Sequence, residues 1–444
     1  MAVLVKAPVT SAAPAAPTTA IMVCHGMGQQ VRFETLDSVA AAILSQAAQT
    51  VSRHAGIVQS ADGPLARSEL LCTDRNGKDH NIHLYEAYWA PLTEGQIGLK
   101  ETFQFLWEGG KRGLIASGKG HLRRWLSQDK ASGNSKDAQS PSEKGDFTRW
   151  LFQDMRQMQL DRGTGSKIAV ALLAIILLFA VIIGWSVSLF LLVGWVVHSF
   201  WEGKLAFAGM EPCTGSVGFF WILIWIIAGW GLRQARNFLI QYSGDVAIYV
   251  SAYKVSRFHD IRHKIQLIGL NVAKTVYAAH YDRVIILGHS LGSVVAYDTL
   301  NAMINEDVLT PGAYNVRQTT RALITCGSPL DKTAFIFRTQ IKEDCPEIRE
   351  ALASAMQPLI VDYAFRTIPI PAPTGPSIFE WVNVYASQDV IGGSLEYYDY
   401  LPPDGLQVRN VKDLEARNWL PIKAHTDYWN RSALRRELWN AIIT

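Results

Sequence analysis

The stretch VIILGHSLGSVVAYDTL, Val284 to Leu300, decides the fold. Four apolar residues, three of them β-branched, run into Gly-His-Ser-Leu-Gly, and an amphipathic stretch follows. A continuous apolar run that ends at glycine reads as a buried strand, and the stretch after it as a helix. A serine on so sharp a strand-to-helix turn holds an unfavourable backbone conformation. The turn closes only if its near neighbours lack a Cβ, and Gly288 and Gly292 meet that need. The Ser290 hydroxyl then projects above the sheet edge at a helix N-terminus, where free N–H groups favour developing negative charge. Two glycines around a serine recur by chance in a chain with 34 glycines. The strand before this serine and the helix after it give the pattern its meaning.

Outward from this point the chain alternates strand and helix. TAIMVCHG (19 to 26) reads as a buried strand ending at glycine, Thr35 to Val51 as a helix, and HNIHLYEAYWA (80 to 90) as a strand. Val246 to Ala279 has helical periodicity, and RVIILG (283 to 288) is a second buried strand. Leu291 to Ile304 is helical, RALITCG (321 to 327) is a third buried strand and FEWVNVYAS (379 to 387) a fourth. Such alternation with near-continuous apolar strands predicts an α/β fold, a mostly parallel sheet with helices on both faces.

A serine hydroxyl needs a base to become nucleophilic at neutral pH, and on this kind of sheet the partners follow in the order Ser, acid, His. Of 11 histidines only His425 lies beyond Ser290, so it is the expected base, in a polar, aromatic segment read as a loop folding back over the sheet edge. The acid belongs at a strand end between the two. Asp389 follows EWVNVYASQ directly, and Asp331, after RALITCGSPL, is the alternative acid. The oxyanion needs two backbone donors. Leu291, next after the nucleophile, supplies one. The other comes from CHGMGQQ, where Gly26 and Gly28 let bare backbone approach: Met27 is the expected donor, with Gly26 or Gly28 as alternatives. His25 precedes the nucleophile and is read as shaping this loop, and His289 as part of the elbow. No metal or other cofactor is called for.

Two further segments bear on where such chemistry takes place. Ile168 to Val197 and Pro212 to Leu232 carry no ionisable side chain apart from Cys213. A bilayer core of ~30 Å needs about 20 apolar helical residues, so each segment is long enough to span once. Arg149, Arg156, Arg162 and Lys167 precede the first, and Arg233 and Arg236 follow the second. Positive flanks favour the cytoplasm, which predicts an integral membrane protein with two spans and its catalytic domain on the cytoplasmic side. The domain reading is a flexible Ala/Pro-rich tail (1–18), a catalytic domain (19–98 and 240–444), a basic polar linker (99–167) and a transmembrane hairpin (168–235). The linker reads as mobile, as an amphipathic helix on anionic lipid, or as both. The tail, broken by Lys6, Pro8, Pro14 and Pro17, lacks the apolar core of a signal peptide. The net charge of +3 over 444 residues does not suggest a nucleic-acid binder. Five widely spaced cysteines with no C-x-x-C suggest reduced thiols and a reducing compartment.

HGMGQQ (25 to 30), GHSLG (288 to 292), TCGSPLD (325 to 331), VNVYASQDVIGG (382 to 393) and AHTDYW (424 to 429) together resemble the lipase-like branch of the α/β-hydrolase superfamily. The Asp-Val-Ile after its strand is similar to the acid segment of class 3 lipases. His-Gly-x-Gly is similar to the oxyanion loop of hydrolases like the GPI-inositol deacylases and intracellular phospholipases. The similarity covers roughly residues 19 to 95 and 245 to 435. There is no room before residue 19 for the first two strands usual in that superfamily, so the sheet is expected to be truncated at that edge. The insert with the two spans falls before the nucleophile rather than in the usual lid position. Joined to the spans, the resemblance implies a membrane-anchored serine hydrolase of carboxylic esters, a lipase or phospholipase acting through an acyl-enzyme. The alternatives are a tethered esterase or thioesterase for soluble substrates, and a non-catalytic membrane scaffold. The oligomeric state is not legible.

Overall fold

A computed structural model describes residues 18–28, 30–60, 63–96, 248–249, 256–330, 333, 379–386, 388–389, 391–395, 408–415 and 421–444. The expected linker, both expected spans and Asp331 lie outside these residues. Among the described residues no helix is long and apolar enough to cross a membrane.

The chain runs β1 (Thr18–Cys24), α1 (Glu34–Leu44), β2 (Gln49–Ser60), β3 (Gly63–Thr73), β4 (Asp79–Ala87) and α2 (Ala90–Thr93). It continues with α3 (Ser256–Ala278), β5 (Arg283–His289), α4 (Leu291–Leu309), α5 (Val316–Thr319), β6 (Thr320–Cys326) and β7 (Glu380–Ala386). β8 (Val408–Asp413), α6 (Pro421–Thr426), a 3₁₀ turn (Tyr428–Asn430) and α7 (Ser432–Ile443) close the described chain.

The strands form one eight-stranded sheet in the order β2-β3-β4-β1-β5-β6-β7-β8. From β4 to β8 every neighbouring pair is parallel, while β2 and β3 pair antiparallel to each other and β3 to β4. The fold is therefore α/β with a mostly parallel sheet. Successive side chains of a strand point to opposite faces. Ala20 and Met22 of β1 accordingly join Val284 and Ile286 of β5 on the face covered by α3 and α4. Ile21 and Val23 join Ile285 and Leu287 on the face covered by α1 and α7. Burying such a side chain contributes about 1.5–3 kcal/mol. Strands buried on both sides must read as unbroken apolar runs, and the alternation is visible only in the packing.

Two expectations are corrected here. The helix read as Thr35 to Val51 ends at Leu44, and residues from Gln49 onward are strand. The sheet is not truncated on the β4 side, because the β2–β3 hairpin extends it there. β2 is the outermost strand and mostly exposed, so its sequence QTVSRHAGIVQS shows no apolar alternation to mark it.

The topology also locates a crevice. From β1 the chain turns toward the β4 side of the sheet, and from β5 toward β6. The carboxyl ends of β1 and β5, in register at Cys24 and Gly288, flank that switch point, where open α/β sheets hold their ligands.

Candidate active site

Ser290 occupies the single step between β5 and α4, with φ 54° and ψ −130°. That left-handed backbone is costly for a residue with a Cβ and persists only where the surroundings impose it. Its N–H is tied to the Cys326 carbonyl at 3.0 Å and its own carbonyl accepts from Ser293 at 2.9 Å. A Cβ on Gly292 would stand 2.2 Å from the carbonyl oxygens of Cys24 and His25, and one on Gly288 2.6 Å from Ser293 Cα. The two glycines thus let α4 press against the ends of β1 and β5 and force the serine out of the turn.

Asp389 follows β7, whose end pairs with β6 and β8, and His425 sits on α6. The loop read for His425 is thus corrected to a short helix, with Pro421, whose missing N–H costs nothing there, as its first residue. The structure brings Ser290, Asp389 and His425 together. Ser290 Oγ lies 2.7 Å from His425 Nε2, and His425 Nδ1 lies 2.9 Å from Asp389 Oδ2. All three are buried, Ser290 and His425 at 1 % exposure and Asp389 at 4 %, so little of the hydrogen-bonded chain meets water. Asp389 also accepts from the N–H groups of Ile391 and Gly392 at 2.8 and 2.9 Å, and from Tyr428 O–H at 2.9 Å. A carboxylate with so many donors has its charge satisfied without water, and it fixes the imidazole with the proton on Nδ1 and the lone pair of Nε2 facing the serine.

Two more histidines stand at the site, each tied by its partners into a different task. His25 donates from Nδ1 to the Gly26 carbonyl at 2.8 Å, accepts the Trp89 N–H on Nε2 at 3.1 Å, and stacks on the Trp89 ring at 4.6 Å. It fastens the loop after β1 to the end of β4, in keeping with a loop-shaping part. His289 donates from Nε2 to the His425 carbonyl at 2.9 Å, which ties the elbow directly to α6. Burial pushes both imidazoles down to about 4, so each is neutral at pH 7.

The loop after β1 lies against the elbow. A Cβ on Gly26 would come within 3.2 Å of Ser290 Cβ, and Gly28 takes a φ of 93° that glycine adopts without strain. Leu291 N–H opens α4, and Met27 lines a cleft together with Ser290 and His425. Neither N–H donates to any described residue.

Several residues that hold this geometry were not singled out in the sequence. Tyr428 bridges Asp389 to β7, accepting the Ala386 N–H at 3.0 Å. Arg431 is buried over the Tyr428 ring, at 4.7 Å, and donates to Asp413 at 2.8 Å and to the Ala424 carbonyl at 2.7 Å, pinning α6. Gly327 and Gly392 close around Asp389: a Cβ on either would come within 3.2 Å of its Oδ2. Tyr428 and Arg431 follow His425 by three and six residues, but the partners Asp389 and Asp413 lie far from them along the chain, so no local pattern marks them.

No protein-family model, curated protein or solved structure matches this chain.

Proposed function

We propose that the chain is a membrane-anchored serine hydrolase of the α/β-hydrolase superfamily that cleaves carboxylic esters of lipids. The observation that carries this reading is the buried hydrogen-bonded chain from Ser290 through His425 to Asp389. A scaffold needs no strained serine hydrogen-bonded to an imidazole with a carboxylate behind it. Chain order supports the same reading, with nucleophile, acid and base at 290, 389 and 425. In this reading the β2–β3 hairpin takes the place of the two strands expected to be missing.

In the reaction His425 Nε2 takes the proton as Ser290 Oγ attacks the acyl carbon, and the N–H groups of Leu291 and Met27 receive the oxyanion. Collapse of the tetrahedral intermediate breaks the ester C–O bond, and His425 passes its proton to the departing alkoxide. Water, deprotonated by His425, then attacks the acyl-enzyme, releasing the acid and restoring the serine. Asp389 stays ionised and stabilises the imidazolium throughout. The lipid part of the reading rests on the two uncharged stretches, 168–197 and 212–232, which would hold the site at a membrane and raise the effective concentration of substrate. The test is the product profile of purified full-length protein on ester lipids in vesicles. Release of fatty acid that disappears in Ser290→Ala supports the proposal, and equal release by wild type and variant refutes it.

A further inference from the structure

The cleft beside Ser290 has a chemistry of its own. It encloses about 410 Å³, and its walls carry carboxylate, hydroxyl, amide and guanidinium groups. Glu34 and Ser38 come from α1 on one side, and Thr426, Asn430 and Arg435 from the chain after His425 on the other. Asp37, also at the cleft, is paired with Arg53. Among the described residues that leaves one carboxylate, Glu34, and one guanidinium, Arg435, a formally neutral lining. Arg435 is held in place by the Trp429 carbonyl at 2.9 Å and Asn430 Oδ1 at 3.3 Å. Among the described residues of the lining only Met27, Ala41 and Trp429 offer apolar surface to an acyl chain.

The mechanism says which part of an ester would enter. The imidazole must reach the departing oxygen to protonate it, so the alcohol portion leaves on the imidazole's side of the serine. His425 itself lines the cleft, together with Thr426, Trp429, Asn430 and Arg435 from the chain that follows it. We infer that the cleft receives the alcohol portion of the substrate, and that this portion is a neutral polyol such as a glycerol or sugar unit. Each hydroxyl of a polyol donates and accepts, which suits a lining that offers the Glu34 acceptor and the Asn430 and Arg435 donors together. A phosphate placed there would meet the Glu34 carboxylate with one guanidinium to balance it. A quaternary ammonium would meet Arg435.

This inference rests on the proposed ester hydrolysis at Ser290, and the test separates the two. Purified full-length protein is given esters of one fatty acid with three alcohols: a 1-acylglycerol, the ethyl ester and the 1-acylglycerol 3-phosphate. The expected kcat/KM for the acylglycerol exceeds that for each of the others by about tenfold or more, the worth of one or two hydrogen bonds from a partly open cleft. Glu34→Gln and Ser38→Leu each reduce the acylglycerol-to-ethyl ratio, and added glycerol inhibits competitively where ethanol does not. Equal rates on the three esters, or preference for the phosphate, overturn the polyol cleft and leave ester hydrolysis standing. Absence of turnover on all three, with no fluorophosphonate labelling of folded wild-type protein, overturns both.

Discussion

The elbow that carries Ser290 and the clamp that carries His425 meet in one hydrogen bond, yet they are built in opposite ways. The elbow is made of missing atoms. Gly288 and Gly292 remove side chains so that backbone can close on backbone, and the strain falls on the serine between them. The clamp is made of added polar groups. Asp389, Tyr428, Arg431 and Asp413 reach across three elements to hold one short helix in place. His289 joins the two, being next to Ser290 and bonded to the carbonyl of His425. A site of this kind needs a rigid nucleophile and an oriented base, and the two forms of rigidity fail differently.

Removing the anchor of the clamp should have the largest effect on stability. Arg431→Ala strands the buried Asp413 carboxylate, and urea unfolding should show a loss of about 3–5 kcal/mol. An unchanged midpoint would mean that the clamp does not depend on this pair. On the elbow side, Gly292→Ala drives a methyl group into two backbone carbonyls, at 2.2 Å, which cannot swing aside. The same measurement should register a loss of about 3 kcal/mol, together with lost ester turnover. Tyr428→Phe keeps the ring and removes only the hydroxyl, at a cost of about 1–2 kcal/mol for the Ala386 N–H and Asp389 partners it leaves. Because Tyr428 acts through Asp389, kcat should fall about tenfold with KM unmoved, whereas a purely structural part would leave kcat per folded molecule intact.

The bridge between the halves gives the smallest and sharpest effect. Burial holds His289 at about 4 in the folded protein, against 6.5 when exposed. Above 6.5 neither state binds the proton and its contribution is level. As pH falls from 6.5 toward 4 the unfolded chain takes up a proton that the folded one refuses, so stability falls. The slope is up to ~1.4 kcal/mol per pH unit for this one group. His289→Gln, which keeps a donor and removes the titration, should flatten the pH dependence of the urea midpoint between pH 6.5 and 5 by that amount. A slope equal to wild type would show that His289 is not the neutral bridge.

The same contrast explains what could be read from the sequence. The elbow is local: strand, glycines, serine and helix lie within one run of residues, and steric need leaves its mark in residue order. The positions of Asp389 and His425 followed from chain order and from a strand end, which are also features along the chain. Through these bonds Tyr428 and Arg431 act on residues 18 to 42 positions away, and such polar pairings leave no periodicity. The hairpin escaped for another reason. β2 is exposed on both faces at the sheet edge, so nothing selected the alternation by which strands are recognised, and the helix before it seemed to continue to Val51.

The central claim is that Ser290, His425 and Asp389 work as one nucleophilic unit. Its most direct test is to treat folded protein with a fluorophosphonate and map the adduct by mass spectrometry. The account predicts a single phosphonylated residue, Ser290, with labelling abolished in Ser290→Ala and slowed by at least about a thousandfold in His425→Ala. An adduct elsewhere, or labelling of Ser290 at the same rate without the imidazole, would contradict it.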